Sequence, residues 1–518
     1  MKINFKFYFV SIVVLSAFLS GCFNEGGGGQ SEPEPNNSSS HVGTVSGQVF
    51  NGITGQAVSG ITVSIDEQST VTEAEGRYTL QNIELSERVV VTTNGSNFAK
   101  QSKIIRITQE NPEVHLPIRV LPVQMTQVFD PNTAQVLSPE NSTASVNLIA
   151  NSLVQADGSS PVGDVTINLT TIDPTLDIEL MPGDMQTSVG GVLSPIESFG
   201  AMAVTFTDSS GNDLDLSQGS TATIRIPLAD KSGNPPAMIP LYFYDDEEGI
   251  WVEEGSATLM TDALGSYYQG DVAHFTTWNA DDLFEQVIIN GCIENIDGDR
   301  LLAVKIISSG EDYSGTSASW SDASGNFSII VKSNASVLLH GLFDGEKTNT
   351  VGVSTTTSEQ TLGACLVLQT DGGIDGSTAI SIKLSWGEKP EDLDGHLAGP
   401  TERIYYDNKG NLAEFPFMHL DVDNTESFGP EVITVFKFSE PGIYRYSVNN
   451  YSDTFEPGIT GSPARVELNV NGDITIFTPP LGENNTTTIT WDVFEFVVAD
   501  DGSFTINTIN TWSDSFPL

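Results

Sequence analysis

The stretch that decides the fold is 45–80, where V-S-G-Q-V-F (45–50), A-V-S-G-I-T-V-S-I (57–65) and T-E-A-E-G-R-Y-T-L (72–80) follow one another. In each segment apolar or β-branched residues alternate with polar ones, which is the period of a half-buried β-strand. Gly47, Gly60 and Gly76 stand where turns or tight strand edges are expected. The stretch therefore predicts strand, turn, strand, turn, strand.

The rest of the chain repeats this pattern. Short segments rich in Val, Ile, Thr, Phe and Tyr alternate with Gly, Asn, Asp and Pro at intervals of roughly 8–12 residues, without a sustained helical period. The fold class is therefore all-β, with tandem Ig-like or transthyretin-like β-sandwiches expected to give reach. A chain of 518 residues is too long for one core at ~100–200 residues per domain. The positions of these turn-forming segments predict four sandwiches, at 43–122, 123–282, 287–368 and 377–518.

The N-terminus carries an export signal. Lys2 and Lys6 precede an apolar run at 5–19, which is shorter than the ~20 residues of a membrane-spanning helix. An uncleaved membrane anchor would need a longer run. The closing Leu19-Ser20-Gly21-Cys22 resembles the lipobox of bacterial lipoproteins. The resemblance implies that 1–21 is a signal peptide, that Cys22 is lipidated, and that Phe23, standing where an aspartate would retain the protein, directs it to the bacterial outer membrane.

Residues 22–42 should form a disordered tether, because four consecutive glycines and a run of serines leave almost nothing apolar to bury. The formal net charge of −47, from 68 acidic and 21 basic residues, argues against nucleic acid or an anionic membrane surface as partner. Cations or basic partners suit it better. The same charge keeps an exposed protein soluble, and a monomer is expected.

The first sandwich resembles the carboxypeptidase regulatory-like domain over 72–78, although Glu73 and Glu75 replace the usual aspartates. The plan recurs at 287–368, where S-D-A-S-G-N-F-S-I-I (321–330) supplies the same signature. In carboxypeptidases this module accompanies a zinc hydrolase that needs a histidine and a glutamate three residues apart. None of the six histidines has that glutamate, so the resemblance implies spacers or binding units.

Two cysteines remain once Cys22 is assigned to lipid. Cys292 and Cys365 both fall within the predicted third sandwich, one near its opening strand and the other near its last. In an oxidising envelope we expect them to form a disulfide.

The second sandwich contains I-P-L-Y-F-Y-D-D-E-E-G-I-W-V-E-E-G (239–255) and G-D-V-A-H-F-T-T-W-N (270–279), which resemble the end of a ZU5/GAIN-like sandwich. In some members of those families a histidine activates a hydroxyl that attacks the preceding carbonyl at a strained peptide. The resemblance implies that His274 would activate Thr276 and that the Phe275–Thr276 bond would be cut. The alternative is an ordinary structural strand.

The fourth sandwich contains L-S-W-G-E-K-P-E-D-L-D-G-H-L-A-G-P (384–400), H-L-D-V-D-N-T-E-S-F-G-P-E (419–431) and G-I-Y-R-Y-S-V-N-N-Y-S (442–452), and resembles the C-terminal domain of YfaP-like envelope proteins. Its aspartates stand in pairs at i and i+2, so each pair projects from one face of an extended strand. Converging carboxylates repel unless a cation joins them, and Ca²⁺ accepts about six to eight oxygens at flexible geometry. The predicted calcium ligands are Asp392, Asp394, Asp421, Asp423 and Glu431, with Asn450 as a further oxygen donor.

Other interpretations of these segments stay open. The EF-hand loop requires glycine at its sixth position, where Leu397 and Glu426 stand instead, so the signal is one of clustering. The aspartates would alternatively cap turns, or serve in acid–base catalysis. His396 and His419 would complete a mixed His/Asp transition-metal site, or simply donate to neighbouring carboxylates.

The fourth sandwich is also rich in aromatic residues, which would form a platform for sugar rings or a proline-rich peptide if exposed and core if buried. They are Trp386, Tyr405, Tyr406, Phe415, Phe417, Tyr444, Tyr446 and Tyr451.

No Walker loop, dinucleotide-binding glycine pattern or G-x-S-x-G elbow lies in a suitable strand-to-helix setting. The sequence therefore predicts a lipid-anchored, non-catalytic envelope protein for binding or adhesion, whose ligand is a polysaccharide or a protein. It requires no cofactor, and Ca²⁺ is the one candidate ion. The alternatives are an autoprocessing protein and a structural spacer that presents the fourth sandwich.

Overall fold

The computed structural model describes residues 42–369, 379–452, 458–481 and 490–513. Within these ranges the chain is built from strands, and the all-β prediction is confirmed. The described helical segments are single 3-10 turns at Ile178–Leu180 and Gly458–Gly461. No described helix has the length and apolarity needed to cross a membrane.

The first sandwich pairs two four-stranded sheets, β4-β1-β7 with β8 beside β1, and β3-β2-β5-β6. Its strands are β1 (Val42–Asn51), β2 (Thr62–Ile65), β3 (Gln68–Val71), β4 (Arg77–Glu84), β5 (Ser86–Gly95), β6 (Phe98–Ile107), β7 (Glu113–His115) and β8 (Ile118–Val120). Strand β1 alternates between buried and half-buried residues, as its sequence predicts.

The second stretch joins 13 strands into one hydrogen-bonded network around the path β10-β11-β17-β20-β19-β18-β21-β15-β13-β9. They are β9 (Met125–Phe129), β10 (Gln135–Leu137), β11 (Ser145–Leu148), β12 (Leu153–Gln155), β13 (Val165–Ile172), β14 (Gln186–Val189), β15 (Val192–Asp208), β16 (Asp213–Leu216), β17 (Ala222–Pro227), β18 (Met238–Asp245), β19 (Ile250–Asp262), β20 (Gly265–Val272) and β21 (Thr277–Leu283). Its core surrounds the fully buried Trp278.

The third stretch has the sheets β25-β22-β29 with β30 beside β22, and β24-β23-β26-β27 with β28 beside β26. Its strands are β22 (Gln286–Asn295), β23 (Lys305–Gly310), β24 (Thr316–Trp320), β25 (Asn326–Lys332), β26 (Ser336–Phe343), β27 (Glu346–Lys347), β28 (Val351–Ser354), β29 (Gln360–Thr361) and β30 (Leu366–Leu368).

The fourth stretch packs a six-stranded sheet, β34-β35-β36-β31-β38-β39, on a five-stranded sheet, β33-β32-β37-β40-β41. The strands are β31 (Ile380–Ser385), β32 (Leu393–Ala398), β33 (Arg403–Ile404), β34 (Gly410–Asn411), β35 (Met418–Val422), β36 (Glu431–Val435), β37 (Gly442–Asn450), β38 (Arg465–Val470), β39 (Asp473–Phe477), β40 (Thr490–Val498) and β41 (Phe504–Ser513). Trp386 and Trp491 are fully buried between the sheets.

The first and third sandwiches share a strand plan and a turn. β1 pairs antiparallel with β4 and parallel with β7, and β22 pairs in the same way with β25 and β29. In the signature turns, Gly76 and Gly325 have φ of 71° and 69°, where a side chain is strained. Their carbonyls accept hydrogen bonds of 2.8 Å from the amides of Val49 and Ile293. The glycine of the repeated motif is thus needed for the turn.

The four sandwiches contact one another in a closed circuit, which differs from the expected series extended for reach. Arg88 Nη1 of the first sandwich lies 2.7 Å from Asp184 Oδ2 of the second, and Ser198 N of the second lies 2.8 Å from Ser314 O of the third. Thr350 N of the third lies 2.8 Å from Asp421 Oδ2 of the fourth, and Arg465 Nη1 of the fourth lies 3.1 Å from Gly52 O of the first. Polar groups of consecutive sandwiches, and of the fourth and the first, are therefore each other's partners.

Candidate functional site

Three carboxylates meet where the two sheets of the fourth sandwich approach. Asp394 lies in β32 of the five-stranded sheet, whose residues Leu393 to Leu397 are all buried. Glu431 opens β36 of the six-stranded sheet, and Asp423 follows the last residue of β35. Because both sheets contribute, packing of the sandwich assembles the cluster, which we call the acidic site.

The acidic site has the spacing of a cation-binding centre. One carboxylate oxygen from each of Asp394, Asp423 and Glu431 lies within 4.8 Å of the others. Since Ca²⁺–oxygen distances are about 2.3–2.6 Å, one ion can contact three oxygens at this spacing. The main-chain amide of Gly395 donates to Glu431 Oε2 at 2.5 Å, and Lys409 Nζ lies 2.9 Å from Asp423 Oδ2.

Two carboxylate oxygens of this region are buried and have no hydrogen-bond partner among the residues that the structure describes. They are Asp394 Oδ2 and Asp392 Oδ1, on residues that are 3% and 7% exposed. A buried polar atom that lacks a partner is costly, so a group outside the described residues would stabilise it.

Burial also raises the pKa values of the carboxyl groups in this region. Burial, followed by the charges of Asp392 and Asp423, raises the pKa of Asp394 to about 7. Burial and then Asp423 and Glu391 raise the pKa of Asp392 to about 6. Burial raises the pKa of Glu431 well above its usual range, although the Gly395 amide opposes that shift. The site therefore holds protons near neutral pH, and a divalent cation would replace them.

Two of the other predicted ligands, Asp421 and Asn450, have hydrogen-bond partners of their own. Asp421 accepts hydrogen bonds from the Thr350 amide, Thr434 Oγ1 and His419 Nδ1 at 2.7–2.8 Å, which occupy both of its oxygens. The strand bulges between Leu420 and Val422, so Asp421 and Asp423 do not act as one i, i+2 pair. Asn450 Oδ1 accepts from Ser452 Oγ at 3.0 Å.

The two histidines take different places. His419 Nδ1 donates to Asp421 Oδ1 at 2.8 Å, so this histidine bonds a neighbouring carboxylate. His396 is fully buried, and its ring stacks on Tyr405 with centroids 5.5 Å apart. Burial and then Arg403 lower the pKa of His396 to about 4. His396 is thus neutral at physiological pH.

The aromatic residues divide between core and surface. Trp386, Tyr444 and Tyr446 are buried in the sandwich core. Tyr406 and Tyr451 are 38% and 55% exposed, and their ring centroids lie 5.5 Å apart.

Tyr405 extends this pair, because its ring lies 5.0 Å from that of Tyr406. We call Tyr405, Tyr406 and Tyr451 the tyrosine patch. The ring of His396, two residues after Asp394 in β32, has its centroid 5.5 Å from that of Tyr405 and 6.5 Å from that of Tyr406, so the patch adjoins the strand that carries Asp394. Desolvation, then the Tyr451 hydroxyl and the charge of Asp394, raise the pKa of Tyr406. The sequence alone does not predict this grouping, because Tyr405 follows the end of β33 and Tyr451 follows the end of β37.

Cys292 and Cys365 form a disulfide in the structure, with a Cα–Cα distance of 4.5 Å. It joins the region of β22 to the approach to β30, which run parallel side by side. Cys22, the signal peptide 1–21 and most of the tether 22–42 lie outside the described residues.

His274 and Thr276 are close in sequence but have separate partners. Thr276 Oγ1 donates to the Tyr244 carbonyl at 3.2 Å. The His274 ring packs against Phe243 and Trp278, with centroid distances of 4.6 and 5.0 Å. Among the described hydrogen bonds none joins His274 to Thr276, and neither Phe275 nor Thr276 has positive φ.

Comparison with known proteins leaves the function to be argued from these contacts. No protein-family model and no curated protein matches the chain. Among solved structures, the Bacillus anthracis TIE protein is 10% identical over 63% of this chain and 51% of its own, with a TM-score of 0.15. The chain thus spans about half of that protein's length.

Two pilins give similar values. BcpA, the major pilin subunit of Bacillus cereus, is 10% identical over 63% of this chain and 99% of its own, with a TM-score of 0.13. The full-length major pilin SpaD from Corynebacterium diphtheriae is 10% identical over 63% and 98%, with a TM-score of 0.14. Similarity at this level carries no argument about activity or partners.

Proposed function

We propose that the chain is a lipid-anchored, non-catalytic binding protein of the bacterial outer membrane, and that its fourth sandwich binds its ligand at a calcium-dependent surface. The observation that carries this proposal is the position of the tyrosine patch beside the acidic site. The first three sandwiches then support the fourth, in keeping with the resemblance of the first and third to regulatory-like spacer modules.

The acidic site supplies the calcium dependence. Three carboxylates with one nearby lysine leave an excess of negative charge in a mostly buried position. A flexible oxygen-binding cation such as Ca²⁺ would offset their repulsion and supply a partner for the unbonded Asp394 Oδ2. Binding would also fix the loop that carries Asp423 against β32.

The tyrosine patch supplies the contact surface. Exposed aromatic rings provide apolar area with few rotatable bonds and hydroxyls for hydrogen bonding, which suits the faces of sugar rings. The strongly acidic chain favours a neutral or basic ligand over an anionic one. A polysaccharide is the ligand class we favour, and a protein ligand is an outcome of the test.

Calcium binding is tested by the melting temperature of the purified chain with Ca²⁺ or with chelator. A ligand that binds only the folded state raises the melting temperature. We expect Ca²⁺ to raise it in the wild type and not in Asp394→Asn or Asp423→Asn. Asp421→Asn is the matched control, since it lies two residues from Asp423 but outside the acidic site. An unchanged melting temperature in saturating Ca²⁺ would reject the metal proposal.

Ligand binding is tested on a polysaccharide array with Ca²⁺ or chelator. We expect Tyr406→Ala and Tyr451→Ala to abolish binding, and chelator to reduce it. Phe415→Ala is the control, because Phe415 is 52% exposed in the same sandwich and has no described ring contact with the patch. Absence of binding to any polysaccharide by the wild type would remove the glycan proposal and leave a protein ligand.

The anchor is tested by membrane fractionation. Since two or more acyl chains make attachment stable, we expect the wild type in the outer-membrane fraction and Cys22→Ala in the soluble fraction. Protease added to intact cells then reports which face of the membrane carries the sandwiches.

A further inference from the structure

A cavity of about 190 Å³ lies at the centre of the circuit of sandwiches, with residues of all four on its walls. Six Lys and Arg residues and four Asp and Glu residues line it. The whole chain has only 21 Lys and Arg against 68 Asp and Glu. A large share of the scarce positive charge is therefore gathered around one cavity, although the molecule as a whole is strongly negative.

The four acidic groups of the cavity already have cationic partners. Asp177 contacts Arg119 and Arg465, and Glu467 contacts Arg119 and Lys347.

The other two carboxylates are paired as well. Glu179 lies 3.4 Å from Lys103 Nζ, and Asp184 receives both Nη groups of Arg88 at 2.7 and 3.2 Å. The need to neutralise buried carboxylates thus accounts for Lys103, Lys347 and the arginines.

Three lysines on the cavity wall are left over. Lys231 comes from the second sandwich, Lys305 from β23 of the third and Lys383 from β31 of the fourth. Within the described part of the chain, none of the three has a carboxylate at ion-pair distance. The described bond of Lys231 Nζ is a long one, 3.4 Å, to the Gly310 carbonyl. We call these three residues the cavity lysines.

Burial disfavours the charged form of the cavity lysines. Burial, then the charge of Lys383, lowers the pKa of Lys231 to about 8. Burial also lowers the pKa of Lys383 and of Lys305, against the opposing effect of nearby carboxylates. His340, beside Lys347 and Lys383, has its pKa lowered by burial to about 3 and is neutral. Its ring can therefore donate one hydrogen bond and accept another.

We propose that this cavity is a binding site for a small oxyanion of at least two negative charges, a phosphate group, held by the cavity lysines. Positive groups that converge without carboxylate partners need an anion, and a tetrahedral oxyanion accepts from several ammonium groups at once. A volume of about 190 Å³ admits a phosphate or a small phosphate ester. Because Lys231, Lys305 and Lys383 belong to three sandwiches, the anion would hold these sandwiches together.

The test measures the melting temperature and binding calorimetry of the full-length chain, purified in mild detergent, with inorganic phosphate against chloride at equal ionic strength. We expect phosphate to raise the melting temperature of the wild type by several degrees. Lys231→Met and Lys383→Met should lose this rise and bind phosphate at least tenfold more weakly. Lys100→Met is the control, since Lys100 pairs with Asp246 on the surface and is not on the cavity wall.

A purely structural role gives a different result. If the cavity lysines only balance nearby carboxylates, Lys231→Met and Lys383→Met lower the melting temperature in chloride, and phosphate has the same effect on every variant. If they bind an anion, their removal leaves the melting temperature in chloride unchanged or higher, because it relieves repulsion. An equal response to phosphate in wild type and variants overturns the proposal.

A second arm distinguishes free phosphate from a phosphate ester. Glycerol 3-phosphate replaces inorganic phosphate in the same titration. Tighter binding of the ester assigns the site to the phosphate end of a larger metabolite or headgroup, and tighter binding of inorganic phosphate assigns it to the free ion. Binding of neither overturns the proposal.

Discussion

Arg119 of the first sandwich donates to the carboxylate of Glu467 in the fourth, 348 residues later in the chain. The same guanidinium donates to Asp177 of the second sandwich, and Arg465 also contacts both acids. Burial would raise the pKa of Asp177 and of Glu467, but Arg119 and its neighbouring cations hold both well below their usual range. Lys347 of the third sandwich also contacts Glu467, so one ionic network joins all four sandwiches.

Replacement of Arg119, which Asp177 and Glu467 share, should strongly destabilise the protein. Arg119→Met leaves Asp177 and Glu467 buried with fewer partners, and breaking a buried pair in this way costs about 3–5 kcal/mol. We expect that decrease in the free energy of unfolding, measured by denaturant titration. Arg77→Ala is the control, because Arg77 pairs with Glu75 on the surface and both side chains are mostly exposed. Equal effects of the two substitutions would contradict a network of this kind.

The acidic site should make stability depend on pH. The pKa of Asp394 is about 7 in the folded state against an ordinary value of 3.8, so the folded state binds this proton more tightly. With chelator present, the free energy of unfolding of the wild type should therefore fall as pH rises from about 4 to about 7, by on the order of 3 kcal/mol relative to Asp394→Asn.

Calcium should flatten this profile, because it stabilises the ionised carboxylates. Denaturant titrations at several pH values, each with chelator and with Ca²⁺, measure both effects. A wild type whose pH profile runs parallel to that of Asp394→Asn would show that this carboxyl has an ordinary pKa.

The disulfide should stabilise the third sandwich. Cys292 and Cys365 are 73 residues apart, and closing a loop of that length restricts the unfolded chain by about 4 kcal/mol. We expect the double variant Cys292→Ala/Cys365→Ala to unfold at lower denaturant concentration. Reductant should lower the unfolding midpoint of the wild type and leave that of the double variant unchanged. A wild type that is insensitive to reductant under unfolding conditions would indicate free thiols.

Self-cleavage is not expected. The Thr276 hydroxyl donates to the Tyr244 carbonyl, and the His274 ring packs between two aromatic side chains. The wild type and Thr276→Ala should therefore both give one full-length band on denaturing electrophoresis after prolonged incubation. Two fragments in the wild type, absent in Thr276→Ala, would restore the autoprocessing alternative.

Local sequence was enough for the strands and the repeated turn. The alternation at 45–50 predicted β1, and the glycines at 76 and 325 marked the same left-handed turn in two sandwiches, because period and φ are properties of a few adjacent residues. The acidic site was predicted in part. Spacing found Asp394, Asp423 and Glu431, but it also included Asp421, which a bulge turns toward Thr350 and Thr434.

The sequence by itself determined that this is an all-β chain with a strongly acidic composition, paired aspartates and a lipobox-like start. The closed circuit of sandwiches, the tyrosine patch beside the acidic site and the cavity lysines were decided only by the tertiary structure. Lys231, Lys305 and Lys383 stand far apart in three separate segments and form no motif. They line one cavity because ion pairs such as Arg119–Glu467 join the sandwiches around it. Burial makes an unpaired charge costly, and no local sequence pattern encodes which residues share that interior.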